Sequence, residues 1–70
     1  MSEKLTDGQR LMLKRAASRA DGNPWPTYSM RERAGGAKLR MALELGRRGL
    51  MSADGTIITF AGRKAIGESA

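Results

Sequence analysis

The stretch that most restricts this chain is DGNPWPTY, residues 21–28. Two prolines one residue apart exclude a regular helix or a central strand there. Asn23 and Trp25, each before a proline, are pushed toward extended backbone. Gly35-Gly36 then breaks the chain again. Every regular element must fit between these interruptions.

The first helix is expected to start near Thr6. Thr6-Asp7-Gly8-Gln9 fits a capping box, a hydroxyl followed three residues on by a carboxamide. Asp7 adds a carboxylate to the first turn, where the helix dipole favours it. Met12, Leu13, Ala16, Ala17 and Ala20 recur at helical spacing and form one apolar face. Arg10, Lys14, Arg15 and Arg19 fall largely elsewhere and read as a solubilising face. This helix is expected to end by Asp21-Gly22. A short helix over 29–34 has Ser29 as N-cap. A longer one spans 37–48, with Leu39, Met41, Ala42, Leu43 and Leu45 covering more than one stripe, so burial over much of its surface is expected.

GRRGLM, residues 46–51, reads as a helix end. Gly49 suits the left-handed C′ position, and Leu50 at C″ can touch Leu45 at C3. Arg47 and Arg48 lie in the last turn, where positive charge offsets the dipole. Gly46 costs roughly 1 kcal/mol inside a helix unless something packs closely on it, the following hairpin or the first helix. Asp54-Gly55 is a preferred type I′ turn pair. On that register Ala53 faces Thr56, Ser52 faces Ile57, Met51 faces Ile58 and Leu50 faces Thr59. Thr59 then caps a final helix from Phe60 to about Gly67, with Ile66 turned inward. Residues 1–5 and 68–70 are expected to fray around a single domain.

Seventy residues bury a modest core, and with no cysteine and no histidine there is no disulfide or imidazole site to reinforce it. The net charge is +6, with six basic and two acidic residues in 31–50 and two of each in 51–70. A basic patch suits phosphate backbones or anionic membrane surfaces, although a solvated face has the same composition. No apolar run is long enough to span a bilayer and the N-terminus does not read as a signal peptide, so a cytoplasmic protein is expected. An enzyme is not expected: Gly-rich phosphate loops and paired acids are missing along with His and Cys. No cofactor is implied, and a metal site lacks ligands. RNA binding lacks the interleaved aromatics that stack bases.

The order helix, short helix, helix, hairpin, helix resembles the winged helix-turn-helix family in its small MarR-like form. Leu45-Gly46-Arg47-Arg48-Gly49-Leu50-Met51 is similar to the end of that family's recognition helix. Ile58-Thr59-Phe60-Ala61-Gly62-Arg63-Lys64-Ala65-Ile66 is similar to its second wing strand entering the next helix, with Thr-x-x-Gly. With the spacing between them, the two stretches cover about half the chain. The resemblance implies an α+β, mostly helical fold of three to four helices with a two-stranded β-hairpin wing. It also implies a function: sequence-specific or architectural double-stranded DNA binding in transcriptional or replication control, with helix 37–48 in the major groove.

A helix fits that groove with its N-terminal residues nearest the base edges. Lys38 and Arg40 are therefore the leading candidates, Arg40 for a bidentate contact to guanine. Arg31 and Arg33 are candidate backbone clamps and Arg47 a secondary phosphate contact. The tip Ser52–Thr56 has no Lys or Arg and carries Asp54, so the hairpin is expected to close the core more than to grip DNA. No long helix remains for a family-style dimer, which leaves a monomer or weak homodimer. The alternative is a protein-interaction module on the same fold, with Trp25 and Tyr28 as docking residues. Trp25 either plugs the core or stays exposed for stacking or docking, and the area a small core needs favours the plug.

Overall fold

The computed structural model describes residues 5–67, which form four α-helices. Helix α1 is Asp7–Ala17, α2 Met30–Ala34, α3 Ala37–Arg47 and α4 Phe60–Ala65. The expected fraying concerns residues outside the described range, except Leu5, which packs against the core.

Local hydrogen bonding sets most of these boundaries. The Thr6 hydroxyl accepts from the Gln9 N–H at 3.1 Å and the Gln9 carboxamide accepts from the Thr6 N–H at 3.0 Å. Ser29 and Glu32 form the same reciprocal box at the start of α2. Thr59 Oγ1 accepts from the Gly62 N–H at 3.0 Å and starts α4. Each box satisfies N–H groups that the helix itself leaves unpaired. Helix α1 stops at Ala17, before the expected 21–22. The Ser18 hydroxyl donates back to the Arg15 carbonyl at 2.8 Å, a bond that competes with helix continuation. Asp21 then accepts from the Arg19 guanidinium and the Asn23 N–H, and Asn23 Oδ1 accepts from the Trp25 N–H. These side-chain turns lead into one 3₁₀ turn at Trp25–Thr27.

The Schellman end of α3 is formed as its sequence implies. Gly49 has φ +77°. The Leu50 N–H donates to the Leu45 carbonyl at 2.9 Å, and the Gly49 N–H to the Gly46 carbonyl at 3.0 Å. These are the two reverse bonds of that motif.

The expected α+β fold with a hairpin wing is not what the chain adopts. The described residues contain no β-strand, and residues 48–59 form a loop between α3 and α4 with one antiparallel bridge, Met51 to Ile58. A type I′ turn needs positive φ at both central residues. Gly55 has it, but no non-glycine residue does, so Asp54 cannot occupy that turn. Its carboxylate instead accepts from the hydroxyls of Ser52 at 2.6 Å and Thr56 at 2.7 Å, and from the Thr56 N–H at 3.2 Å. The Ser52 hydroxyl in turn accepts from the Ile57 N–H. Side-chain acceptors thus take the donors a longer ladder would use. Ile58 gives its N–H to the Gly22 carbonyl at 2.9 Å, which ties the loop to the proline segment.

The core joins Met12, Leu13 and Ala16 of α1, Tyr28, Ala42 and Leu45 of α3, and Met51 and Ile58 of the loop. Ala20, expected on the buried face of α1, is exposed because the helix has already ended. Helix α3 is not buried over much of its surface: Leu39 and Leu43 are 45 and 39 % exposed. Helices α1 and α2 and the loop cover only part of its circumference. The loop comes closest at Gly46, where a Cβ would lie 2.6 Å from the Ser52 carbonyl oxygen. The packing that this glycine required therefore comes from the segment read as a hairpin.

Candidate nucleic-acid interface

Helix α3 carries most of the candidate residues, and its 3.6-residue period sorts them. Ala42 and Leu45 are buried and Lys38, Met41 and Gly46 are half-buried, all toward the protein. Leu39, Arg40, Leu43 and Arg47 are exposed together on the opposite side. Arg40, Leu43 and Arg47 follow i, i+3, i+7 spacing, and Leu39 and Leu43 are one turn apart.

Lys38 and Arg40, paired in the sequence reading, point to different places. The Lys38 ammonium lies 6.0 Å from the centre of the Tyr28 ring, and the Arg15 guanidinium lies 4.6 Å from the same ring. Two cations against one aromatic ring suit its negative π faces. Lys38 therefore helps fasten the start of α3 to α1 and the proline segment. Burial pushes the Tyr28 phenol up, and the Arg15 charge opposes that shift. Glu32 is held below the usual carboxylate range, first by the Ser29 N–H and then by the Ser29 hydroxyl, with Arg15 and Lys38 adding charge.

The two arginines of GRRG also separate. Arg47 is exposed on the open face. Arg48 is half-buried, with Nε 3.7 Å from Glu44 Oε2 and Nη1 donating to Gln9 Oε1 at 3.5 Å. Arg48 thus joins α3 to the capping box of α1 and pairs with Glu44, the one carboxylate of α3. Arg31 and Arg33 lie on α2, all five residues of which are exposed. That helix also presents Met30, 78 % exposed, beside a shallow open depression lined by Met30, Arg33 and Ala34.

Trp25 and Tyr28, the candidate docking residues, pack inward. Tyr28 is 5 % exposed. Trp25 is half-buried, and its indole N–H donates to the Gly55 carbonyl at 2.8 Å. Their rings are 5.8 Å apart and tilted by 52°. The tryptophan plugs the gap between proline segment and loop, where its polar edge finds a partner.

Sequence reasoning missed the two exposed leucines. The signal was present: apolar positions covering more than one stripe of α3 exceed what so small a domain can cover. The N-terminus of α3 also differs from those of its neighbours. Gly36 supplies no side-chain acceptor, so the first N–H groups of α3 have no cap, whereas Thr6, Ser29 and Thr59 cap the other helices. Among the described residues no helix is long and apolar enough to cross a membrane. No family model, curated protein or solved structure matches the chain.

Proposed function

We propose that the protein binds double-stranded DNA through the open face of α3, with α2 beside it. The observation that carries this reading is that Arg40 and Arg47 share the exposed side of an 11-residue helix whose one carboxylate, Glu44, pairs with Arg48. An α-helix fits the major groove, and arginine matches both the guanine edge and the phosphate. Arg31 and Arg33 extend positive charge along α2, and the uncapped N–H groups of α3 add the positive end of the helix dipole. The reading does not depend on a wing. It assigns Lys38 to positioning through Tyr28, and Arg40 and Arg47 to contact.

Fluorescence anisotropy with a labelled 20-base-pair duplex tests it. If Arg31, Arg33 and Arg47 each neutralise a phosphate while Arg40 reads a base, affinity falls by about 40-fold between 50 and 200 mM salt. Arg40→Ala weakens binding about tenfold or more without changing the melting temperature. Lys38→Ala lowers the melting temperature first. Equal affinity at both salt concentrations, or an Arg40→Ala protein that binds like the parent, refutes the reading. Exposed Met30, Leu39 and Leu43 favour a second reading, docking of an acidic protein segment. Absence of duplex-induced NMR shifts on α2 and α3 at low salt would turn the assignment to that alternative.

A further inference from the structure

Leu39 and Leu43 sit on the face assigned to DNA, and neither belongs to the buried core cluster. Both are more than a third exposed, and they lie one helical turn apart beside Arg40 and Arg47. A face serving only phosphates has no use for two adjacent leucines. Lysine or glutamine there would keep the helix and avoid exposing apolar area.

The major groove offers one apolar feature that leucine can use, the C5-methyl of thymine. We infer that Leu39 and Leu43 read thymine methyl groups and that Arg40, between them in sequence, reads guanine. This rests on the DNA-binding reading above and adds a base preference to it. Leu39 and Leu43 are separated by about 6 Å along the helix axis. That is close to two base-pair steps of about 3.4 Å each. A helix lying along the groove would therefore bring the two side chains to bases two steps apart. Arg47, a full turn past Leu43 toward the C-terminus, falls where the helix leaves the bases and meets the backbone.

The spacing defines a probe. In a 24-base-pair duplex of repeated GT on one strand and AC on the other, a thymine recurs at every second step with guanine between. Replacing every thymidine with deoxyuridine removes only the C5-methyl groups. Each lost contact is expected to weaken binding about fourfold, the equivalent of burying one methylene-sized group, so two contacts give about fifteenfold. In the Leu39→Ala/Leu43→Ala protein the two duplexes should bind equally. Both leucines are half-exposed and alanine is a strong helix former, so the variant should fold. A circular dichroism melt checks that, and Leu43→Gln provides a second variant with the same expected loss of discrimination.

Equal binding of the two duplexes by the parent overturns the methyl assignment and leaves DNA binding standing. A deoxyuridine penalty that persists in the leucine variants also overturns it, since other residues then sense the methyl. Failure of the parent to bind either duplex overturns both this inference and the function it rests on.

Discussion

Replacing Gly46 with alanine sets two effects against each other. Gly46 lies in the interior of α3, and propensity alone makes Gly46→Ala stabilising by about 1 kcal/mol. Its surroundings predict the opposite. The new Cβ would lie 2.6 Å from the Ser52 carbonyl oxygen and 3.4 Å from that of Ala53. Backbone is in the way, not the flexible end of a side chain. To reach ordinary contact at 3.4 Å the loop must retreat by about 0.8 Å. The bond from the Ser52 N–H to the Ile57 carbonyl and the fully buried Met51 both sit at that point of the loop. Forcing one extra carbon into such a contact costs about 1–3 kcal/mol. Since only about 1 kcal/mol of propensity opposes this cost, the loop contact is expected to prevail.

Gly35→Ala is the matched control. Gly35 has ordinary right-handed backbone, φ −73° and ψ −15°. A Cβ there meets only ordinary contacts, the nearest at 3.5 Å. That substitution should stabilise by about 0.4–1 kcal/mol through the unfolded chain. In a domain of this size, 1 kcal/mol moves the melting temperature by about 4–8 °C. Thermal melts followed by circular dichroism should therefore show Gly46→Ala below the parent and Gly35→Ala above it. If both variants melt above the parent, the loop does not rest on α3 and the account of this seam is wrong.

Thr59→Ala removes two bonds at once, the cap to the Gly62 N–H and the donation from Oγ1 to the Gly49 carbonyl at 2.6 Å. A loss of about 1–2 kcal/mol is expected in urea denaturation, and Thr59→Ser, which keeps the hydroxyl, should recover most of it. The Asp54 carboxyl is held below its ordinary value of 3.8, first by the Ser52 hydroxyl and then by the Thr56 hydroxyl. Below pH 3.8 the unfolded chain therefore binds protons that the folded loop resists. Stability from this group is complete above that value and is lost as the pH falls through the lower folded one. Melting temperatures measured from pH 6 to pH 2 should show a smaller acid drop in Asp54→Ala than in the parent. An identical acid profile would show that the carboxylate does not hold the loop.

Legibility in this sequence follows the range of the interaction. Thr6 with Gln9, Ser29, Thr59 and the Gly49–Leu50 step each act within four or five residues, and short-range chemistry of this kind can be read directly from letters. The loop at 48–59 turned on a competition that the letters do not rank. Thr56-Ile57-Ile58-Thr59 favours a strand, and Asp-Gly favours a hairpin turn. The Asp54 side chain can instead gather nearby hydroxyl and N–H groups, and that local network displaced the ladder. The interface was harder for a different reason: a charge has a sign in the sequence but no direction until the helix is packed. Lys38 and Arg40 are two residues apart, which on a helix places them on opposite sides. The burial of Ala42 and Leu45 fixes which side of α3 faces inward, and Lys38 then lies against the Tyr28 ring that Arg15 also contacts. The same packing left Leu39 and Leu43 outside. The DGNPWPTY stretch that most restricted the fold also supplies the tyrosine ring against which Lys38 lies, on the side of α3 opposite Arg40.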